Sequence, residues 1–386
     1  MSNSFKMVAK TLFGFEEVLE RELRNLGAEK VTAGNRMVSF YGDTGFMYKA
    51  NLCLRTAIKI LKPITSKRIR DEKDLYNFIQ SIDWSGYLNT EDTFAIHATV
   101  NSTLFNHSQF IALKTKDAIV DKFRDETGER PSVDLDYPDL SIDVHIQQDL
   151  CTVSLDSSGG SLHHRGYRTA TNIAPINEVL AAGLLLLSGW DGQCDFLDPM
   201  CGSGTMAIEA AMIACNIPAN LNRKEFAFEK WLDWDMDLFE KIEESCLKKT
   251  RDFHHSIIGF DKEYSAVRKA NINIENANLT DFITIKEADF FESEKQVEGP
   301  LHMVFNPPYD ERLEINIEEF YSQIGDTLKK NYPGTNAWFI TGNLEALKHV
   351  GLRPSRKIKI FNGKLESRLV KYEMYAGSKR TKFQQK

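Results

Sequence analysis

Asn306-Pro307-Pro308-Tyr309, read together with Asp198-Pro199-Met200-Cys201-Gly202-Ser203-Gly204-Thr205 earlier in the chain, decides how this sequence folds. Each segment follows a short apolar run: Cys194-Asp195-Phe196-Leu197-Asp198 leads into the glycines, and Leu301-His302-Met303-Val304-Phe305 into the prolines. Runs of this length read as buried strands, and Thr205 to Cys215, rich in Ala, Ile and Met, reads as a helix. Two further strands end in acids, Ser256 to Asp261 and Phe282 to Ala288 followed by Asp289. Strands alternating with helices predict an α/β sheet.

The glycine segment suits a nucleoside-bearing cofactor. Gly202 and Gly204 let the backbone turn tightly and approach a ligand, and the following helix offers unpaired N–H groups. A dinucleotide fold is the competing reading, but its third glycine and the acid about twenty positions on are missing. Asp261 is placed to accept hydrogen bonds from ribose hydroxyls and Asp289 to receive an adenine amino proton. The plain alternative is that Asp198, Asp261 and Asp289 only cap helices. In the second segment two prolines forbid a helix and fix the carbonyls of Asn306 and Pro307. Hydrogen bonds from a planar NH2 to the Asn306 side-chain oxygen and the Pro307 carbonyl would aim its lone pair along a displacement axis. Pro308 and Tyr309 would meet the base, Tyr309 by stacking. With Pro199, Cys201, Ser203 and Thr205 completing the loop, the pair of segments points to methyl transfer from S-adenosylmethionine, without a metal.

The chain resembles the THUMP-containing guanine-N2 RNA methyltransferases, of the type that acts on 23S ribosomal RNA. The resemblance runs nearly end to end. It is carried by Gly14-Phe15-Glu16-Glu17-Val18-Leu19, by Leu113 to Phe123, and by Leu162-His163-His164-Arg165-Gly166-Tyr167-Arg168. It continues through Ala174-Pro175-Ile176-Asn177-Glu178 and the two segments above. It implies a Rossmann-like class I methyltransferase domain (158–386) preceded by an α+β ferredoxin-like domain (1–60) and a THUMP RNA-binding domain (61–157). It assigns cofactor roles to Asp198, Gly202, Gly204, Asp261 and Asp289, and catalysis to Asn306 through Tyr309. The NPPY segment is shared with adenine-N6 and glutamine methyltransferases, so specificity rests on the combination. Asp310 stands where the family carries glycine. Some relatives have a second methyltransferase domain behind this one; the sequence stops at Lys386, so only the guanine-N2 half is expected.

Net charge is −7 over 386 residues, which looks wrong for an RNA binder. Distribution matters more than the total. Arg353 to Lys386 holds eleven Lys and Arg against Glu366 and Glu373, leaving the rest of the chain strongly acidic. A second basic run contains Lys62, Lys67, Arg68 and Arg70, and Lys114 and Lys116 lie on a later helix. Lys67, Arg68 and Arg70 are the candidate RNA contacts. Arg165 and Arg168 read equally as phosphate contacts or as ties between domains. The acidic balance predicts recognition by shape rather than by general phosphate attraction.

Six cysteines without paired spacing speak for a reducing compartment and against zinc. No signal peptide is apparent, and Val179 to Leu187 is too short to span a bilayer. These features predict a cytoplasmic enzyme without an obligatory protein partner. Its expected substrate is 23S RNA or a large-subunit precursor. Transfer RNA, or a non-catalytic assembly role, is the alternative. Asp156-Ser157-Ser158-Gly159-Gly160-Ser161 reads as the clearest linker, and Pro218 to Arg251 as an insertion of irregular chain followed by a helix.

Overall fold

The computed structural model describes residues 4–171, 175–308 and 316–375. The first half forms one eight-stranded sheet from β1 (Phe5–Thr11), β2 (Glu29–Gly34), β3 (Met37–Gly42), β4 (Ala57–Arg68), β5 (Thr93–Asn101), β6 (Ser132–Val133), β7 (Leu140–Gln147) and β8 (Leu150–Asp156). Their spatial order is β2-β3-β1-β4-β8-β7-β5-β6. Helices α1 (Glu16–Leu26), α2 (Thr44–Cys53), α3 (Glu72–Gln80) and α4 (Ser108–Thr127) complete it. On α1, Val18, Leu19 and Leu23 supply the buried stripe, and Gly27 ends the helix in the left-handed conformation.

β4 joins the two N-terminal units. It pairs with β1 through Leu61↔Val8 and with β8 from Leu61↔Asp156 to Arg68↔Leu150. The boundary expected between residues 60 and 61 therefore falls inside a continuous strand. The register slips between Pro63 and Thr65, where proline has no N–H to give the ladder. Only Val31 of the six residues of β2 is buried, so this edge strand carries no apolar alternation that would mark it in the sequence.

The second sheet contains β9 (Asp195–Asp198), β10 (Ile257–Asp261), β11 (Ile283–Glu287), β12 (Leu301–Phe305), β13 (Thr335–Thr341), β14 (Arg356–Asn362) and β15 (Leu365–Glu373). The order is β11-β10-β9-β12-β13-β15-β14, with the first five strands parallel and β15 antiparallel to both neighbours. Every residue of β12 is buried: Val304 faces one core, Met303 and Phe305 the other. Helices α5 (Glu178–Ser188), α6 (Thr205–Ala214) and α8 (Tyr264–Asn276) fill the first core, and α9 (Ile317–Asn331) the second. Strand order reverses at β9, which lies between β10 and β12; ligands of such sheets bind outside the carboxyl ends there.

One expectation changes at the junction of the halves. The Asp156–Ser161 segment is a packed joint rather than a loose linker. Ser157 and Ser158 are fully buried and trade hydrogen bonds with Asn51 at 2.9 and 2.6 Å. The Ile60 N–H donates to Ser158 Oγ at 2.9 Å, and Lys59 pairs with Asp156 at 2.6 Å. Small polar residues suit an exposed turn, but equally a joint where hydroxyls replace ladder bonds. The insertion, which carries α7 (Met236–Leu247), does contain irregular chain and a helix, but it packs back on the N-terminal half. Phe226, Phe228 and Trp231 join that half's core, with Phe228 stacked on Tyr48 at 4.5 Å.

Candidate active site

The glycine loop sits against the end of β10. The Cys201 N–H donates to the Phe260 carbonyl at 2.8 Å and the Gly202 N–H to Asp261 Oδ2 at 2.9 Å. Gly202 (φ 54°) and Gly204 (φ 83°) are both left-handed, the conformation glycine adopts without penalty. Gly204 also starts α6, where an added Cβ would lie 3.2 Å from the Ala270 Cβ of α8. Cys201 packs its sulfur towards Gly259, and burial pushes its thiol well above the usual range. Its side chain is packing, not a nucleophile.

Three carboxylates lie at the carboxyl ends of three adjacent parallel strands. Asp261 accepts from Gly202 with one oxygen and from the Glu263 N–H with the other, at 3.0 Å, and each oxygen keeps a second lone pair. Asp289 caps the short turn Phe290–Glu292 by accepting from the Phe291 N–H at 2.8 Å. Asp198, only 2% exposed, accepts from the Met200 N–H at 3.2 Å. Burial first, then the nearby Asp261 charge, raises its pKa from 3.8 to about 8, against the opposing Met200 bond.

Between those two values the native protein keeps a proton that the unfolded chain releases, so stability falls as pH rises through the window. Glu178 acts with the same sign up to about 7. Thermal melts of the ligand-free protein are expected to lose stability from about pH 7 to about pH 8.5, above the range where His163 and His302, each lowered to about 4 by burial, act with the opposite sign. Asp198→Asn flattens the decline above about pH 7.5, where Glu178, at about 7, is mostly ionised; an unchanged slope there removes the buried proton from Asp198.

Asn306 follows β12, and its Oδ1 is buried without a hydrogen-bond partner among the described residues. An orphaned acceptor of this kind is costly unless a ligand satisfies it. Pro307 beside it is buried and Pro308 partly so. Tyr309 and Asp310 lie outside the described residues.

The remaining loop residues are held from behind. Pro199, Ser203 and Thr205 are buried. The Ser203 carbonyl accepts from Asn273 Nδ2 at 2.9 Å, and Thr205 Oγ1 from Arg168 at 2.8 Å. Asn273 is missed by the sequence reading. From α8 it also accepts from the Thr169 and Ala170 N–H groups, at 3.1 Å each, clamping this strap to the loop. The available signal was a run of asparagines, Asn271, Asn273 and Asn276, in a helix where asparagine is a weak former.

Arg165 and Arg168 are engaged within the protein, which decides for the tie between domains over the phosphate contact of the two readings the sequence left open, and corrects their candidate role as substrate contacts. Arg165 is fully buried, donating to the carbonyls of Leu162 and Arg55 and to Asn220 Oδ1, and lies 3.4 Å from Glu209. Arg168 pairs with Glu178 at 2.9 Å and donates to the Ile176 carbonyl. A cleft of about 540 Å³ opens beside them, bounded by His163, His164, Arg168, Thr171, Glu178 and Arg223. Lys67, Arg68 and Arg70 are exposed, but around the end of β4 in the other sheet, where Arg68 pairs with Asp149 at 2.6 Å. The described residues contain no cluster of three His, Cys, Asp or Glu able to hold a metal, and no helix long and apolar enough to cross a membrane.

The strand order, the glycine loop and the three strand-end carboxylates fit S-adenosylmethionine, and together they define a class I methyltransferase that uses it. The chain belongs to the RMKL-like methyltransferase domain family, whose model matches residues 165–371. Residues 70–156 match the THUMP domain and residues 6–61 the RlmL ferredoxin-like domain. A protein from Synechocystis sp. named as an RNA methyltransferase is 38% identical over 366 residues, covering 94% of this chain and 95% of that protein. A ribosomal RNA large subunit methyltransferase K/L from Syntrophotalea carbinolica is 35% identical, covering 97% of this chain but 54% of its own length. The chain thus spans about half the length of the K/L relatives it matches. A crystal structure of a protein named as a methyltransferase, in complex with S-adenosylhomocysteine, has a TM-score of 0.86 at 29% identity, covering 98% of this chain and 100% of that one.

Proposed function

We propose that this chain methylates the exocyclic N2 of a guanosine in 23S ribosomal RNA. The observation that carries the reading is the buried Asn306 Oδ1, without a partner among the described residues, beside the rigid Pro307 carbonyl. An amino group on a base is a weak nucleophile because its lone pair is delocalised into the ring. Two acceptors fixed by the end of β12 and by consecutive prolines take its two protons and leave the lone pair facing the methyl donor. The guanosine nitrogen becomes acidic as it gains the methyl, so the site needs no strong general base. S-adenosylmethionine supplies an electrophilic methyl on sulfonium when bound. Asp198 to Thr205, Asp261 and Asp289 are its proposed contacts. Tyr309 is the proposed stacking partner of the base, beside Pro308. Lys67, Arg68 and Arg70 are proposed RNA contacts on the N-terminal half.

The names of the large-subunit relatives support ribosomal RNA as substrate, and the THUMP match supports RNA of either kind. Mass-spectrometric nucleoside analysis of a deletion strain tests the reading. N2-methylguanosine is expected to fall in 23S RNA by one residue per molecule and to return with the wild-type gene. Loss from transfer RNA with intact 23S RNA would move the substrate to transfer RNA.

A further inference from the structure

Cys53 and Cys246 lie 193 positions apart in sequence, yet their sulfurs stand 3.4 Å apart. Cys53 is the last residue of α2 in the ferredoxin-like unit, and Cys246 lies near the end of α7 in the insertion of the methyltransferase domain. All six cysteines are free thiols, and a disulfide sulfur pair sits at about 2.05 Å, so bonding needs roughly 1.4 Å of approach. We propose that these two residues are a thiol–disulfide site that takes a low-molecular-weight disulfide and latches α7 onto α2.

The packing of α7 makes such a latch meaningful. Cys246 is its sole buried residue; Leu238, Phe239 and Ile242 are only partly covered. The first and last of these three rest over Gly45 of α2, where even an added Cβ would lie 3.6 Å from their terminal carbons. A polar bond from the Asp235 N–H to the Tyr48 hydroxyl, at 3.3 Å, helps at its start. Leu238 and Phe239 pack on the N-terminal core, but a surface helix whose contacts stay partly exposed opens locally more often than the core. That opening admits a small disulfide to sulfurs which are otherwise largely covered.

The environment divides the roles of the two sulfurs. Cys246 receives the Cys53 S–H and faces Lys49 and Lys249, which hold its thiol below the usual range against the cost of burial. Cys53 is held above that range by the same hydrogen bond and by burial. The Cys246 thiolate attacks one sulfur of the small disulfide, forming a mixed disulfide and releasing one thiolate. Cys53 gives its proton to that thiolate, and its sulfur then attacks Cys246 and expels the second. The second thiolate takes up the proton that Cys246 lost to solvent, so two protein thiols are oxidised and one small disulfide is reduced to two thiols.

Titrating the full-length protein with oxidised glutathione tests this. Free thiols are expected to drop from six to four. Non-reducing peptide mapping is expected to show the Cys53–Cys246 cross-link first, and dithiothreitol to reverse it. Proteolysis within 232–250 slows by about tenfold or more on oxidation, because cleavage follows the open population. In Cys246→Ser no cross-link forms and proteolysis becomes insensitive to glutathione. A first cross-link between other cysteines, or stable glutathione adducts without the internal bond, would overturn the proposal. So would a cross-link that leaves α7 as easily cleaved as before.

Discussion

Asn306→Ala is expected to lower single-turnover methylation by about two to three orders of magnitude, the range seen when one preorganised polar partner of a transition state is removed. The wild-type amide oxygen is buried and has no partner among the described residues, so the protein bears its desolvation cost before substrate arrives. Alanine deletes the acceptor without removing a bond made within the described protein, and the thermal midpoint is expected to stay within a few degrees. Cofactor affinity, measured by calorimetry with S-adenosylhomocysteine, changes little because the proposed ribose and loop contacts lie on β9 and β10. Asn306→Asp retains an oxygen acceptor and recovers part of the rate. A near-normal single-turnover rate in the alanine variant, with RNA saturating, would dismiss the orienting role. A parallel collapse of stability would show that the residue holds the fold instead.

Much of this site was legible because its parts are local. A strand, a glycine turn and a helix leave a continuous signature, so β9, α6 and the loop between them follow from Asp195 to Ala214 alone. β12 followed for a related reason: five apolar residues before two prolines have few other uses. What escaped depended on distant chain. Arg165 and Arg168 read equally as phosphate contacts or as ties between domains, and only tertiary contacts decide for the tie by revealing their acceptors on Arg55, Asn220, Ile176 and Thr205. The serines after Asp156 escaped similarly, because a hydroxyl reads as solvated until Asn51, 106 residues away, is seen to bind it. β2 carries too little buried surface to show a period. Asn273 needed the fold as well, since its partners come from a strap a hundred residues upstream.

Arg165→Ala is expected to destabilise the protein by about 3–5 kcal/mol, the usual cost of breaking a buried charge network by removing one member. The guanidinium joins three parts of the chain: the Arg55 carbonyl before β4, Asn220 at the start of the insertion, and Glu209 on α6. Its removal leaves those oxygens without their donor inside a region where water cannot replace it. Among the described residues Glu209, a fully buried carboxylate, then keeps the Tyr167 hydroxyl, at 3.0 Å, and the nearby Arg55 charge. Arg55 lies close enough to raise or lower this cost, since its own guanidinium holds the carbonyls of Met212 and Ile217 at the same junction. Lysine at 165 keeps the charge but not the planar fork that reaches several acceptors, so Arg165→Lys restores only part of the loss. Arg68→Ala provides the contrast: its pair with Asp149 is exposed, and the denaturant midpoint is expected to stay close to wild type. Urea unfolding followed by tryptophan fluorescence distinguishes the two, while the salt dependence of RNA binding distinguishes their functions. A phosphate-binding Arg165 would leave the midpoint alone and flatten the salt dependence, whereas a tie between the halves lowers the midpoint. The burial of its entire side chain predicts the second outcome.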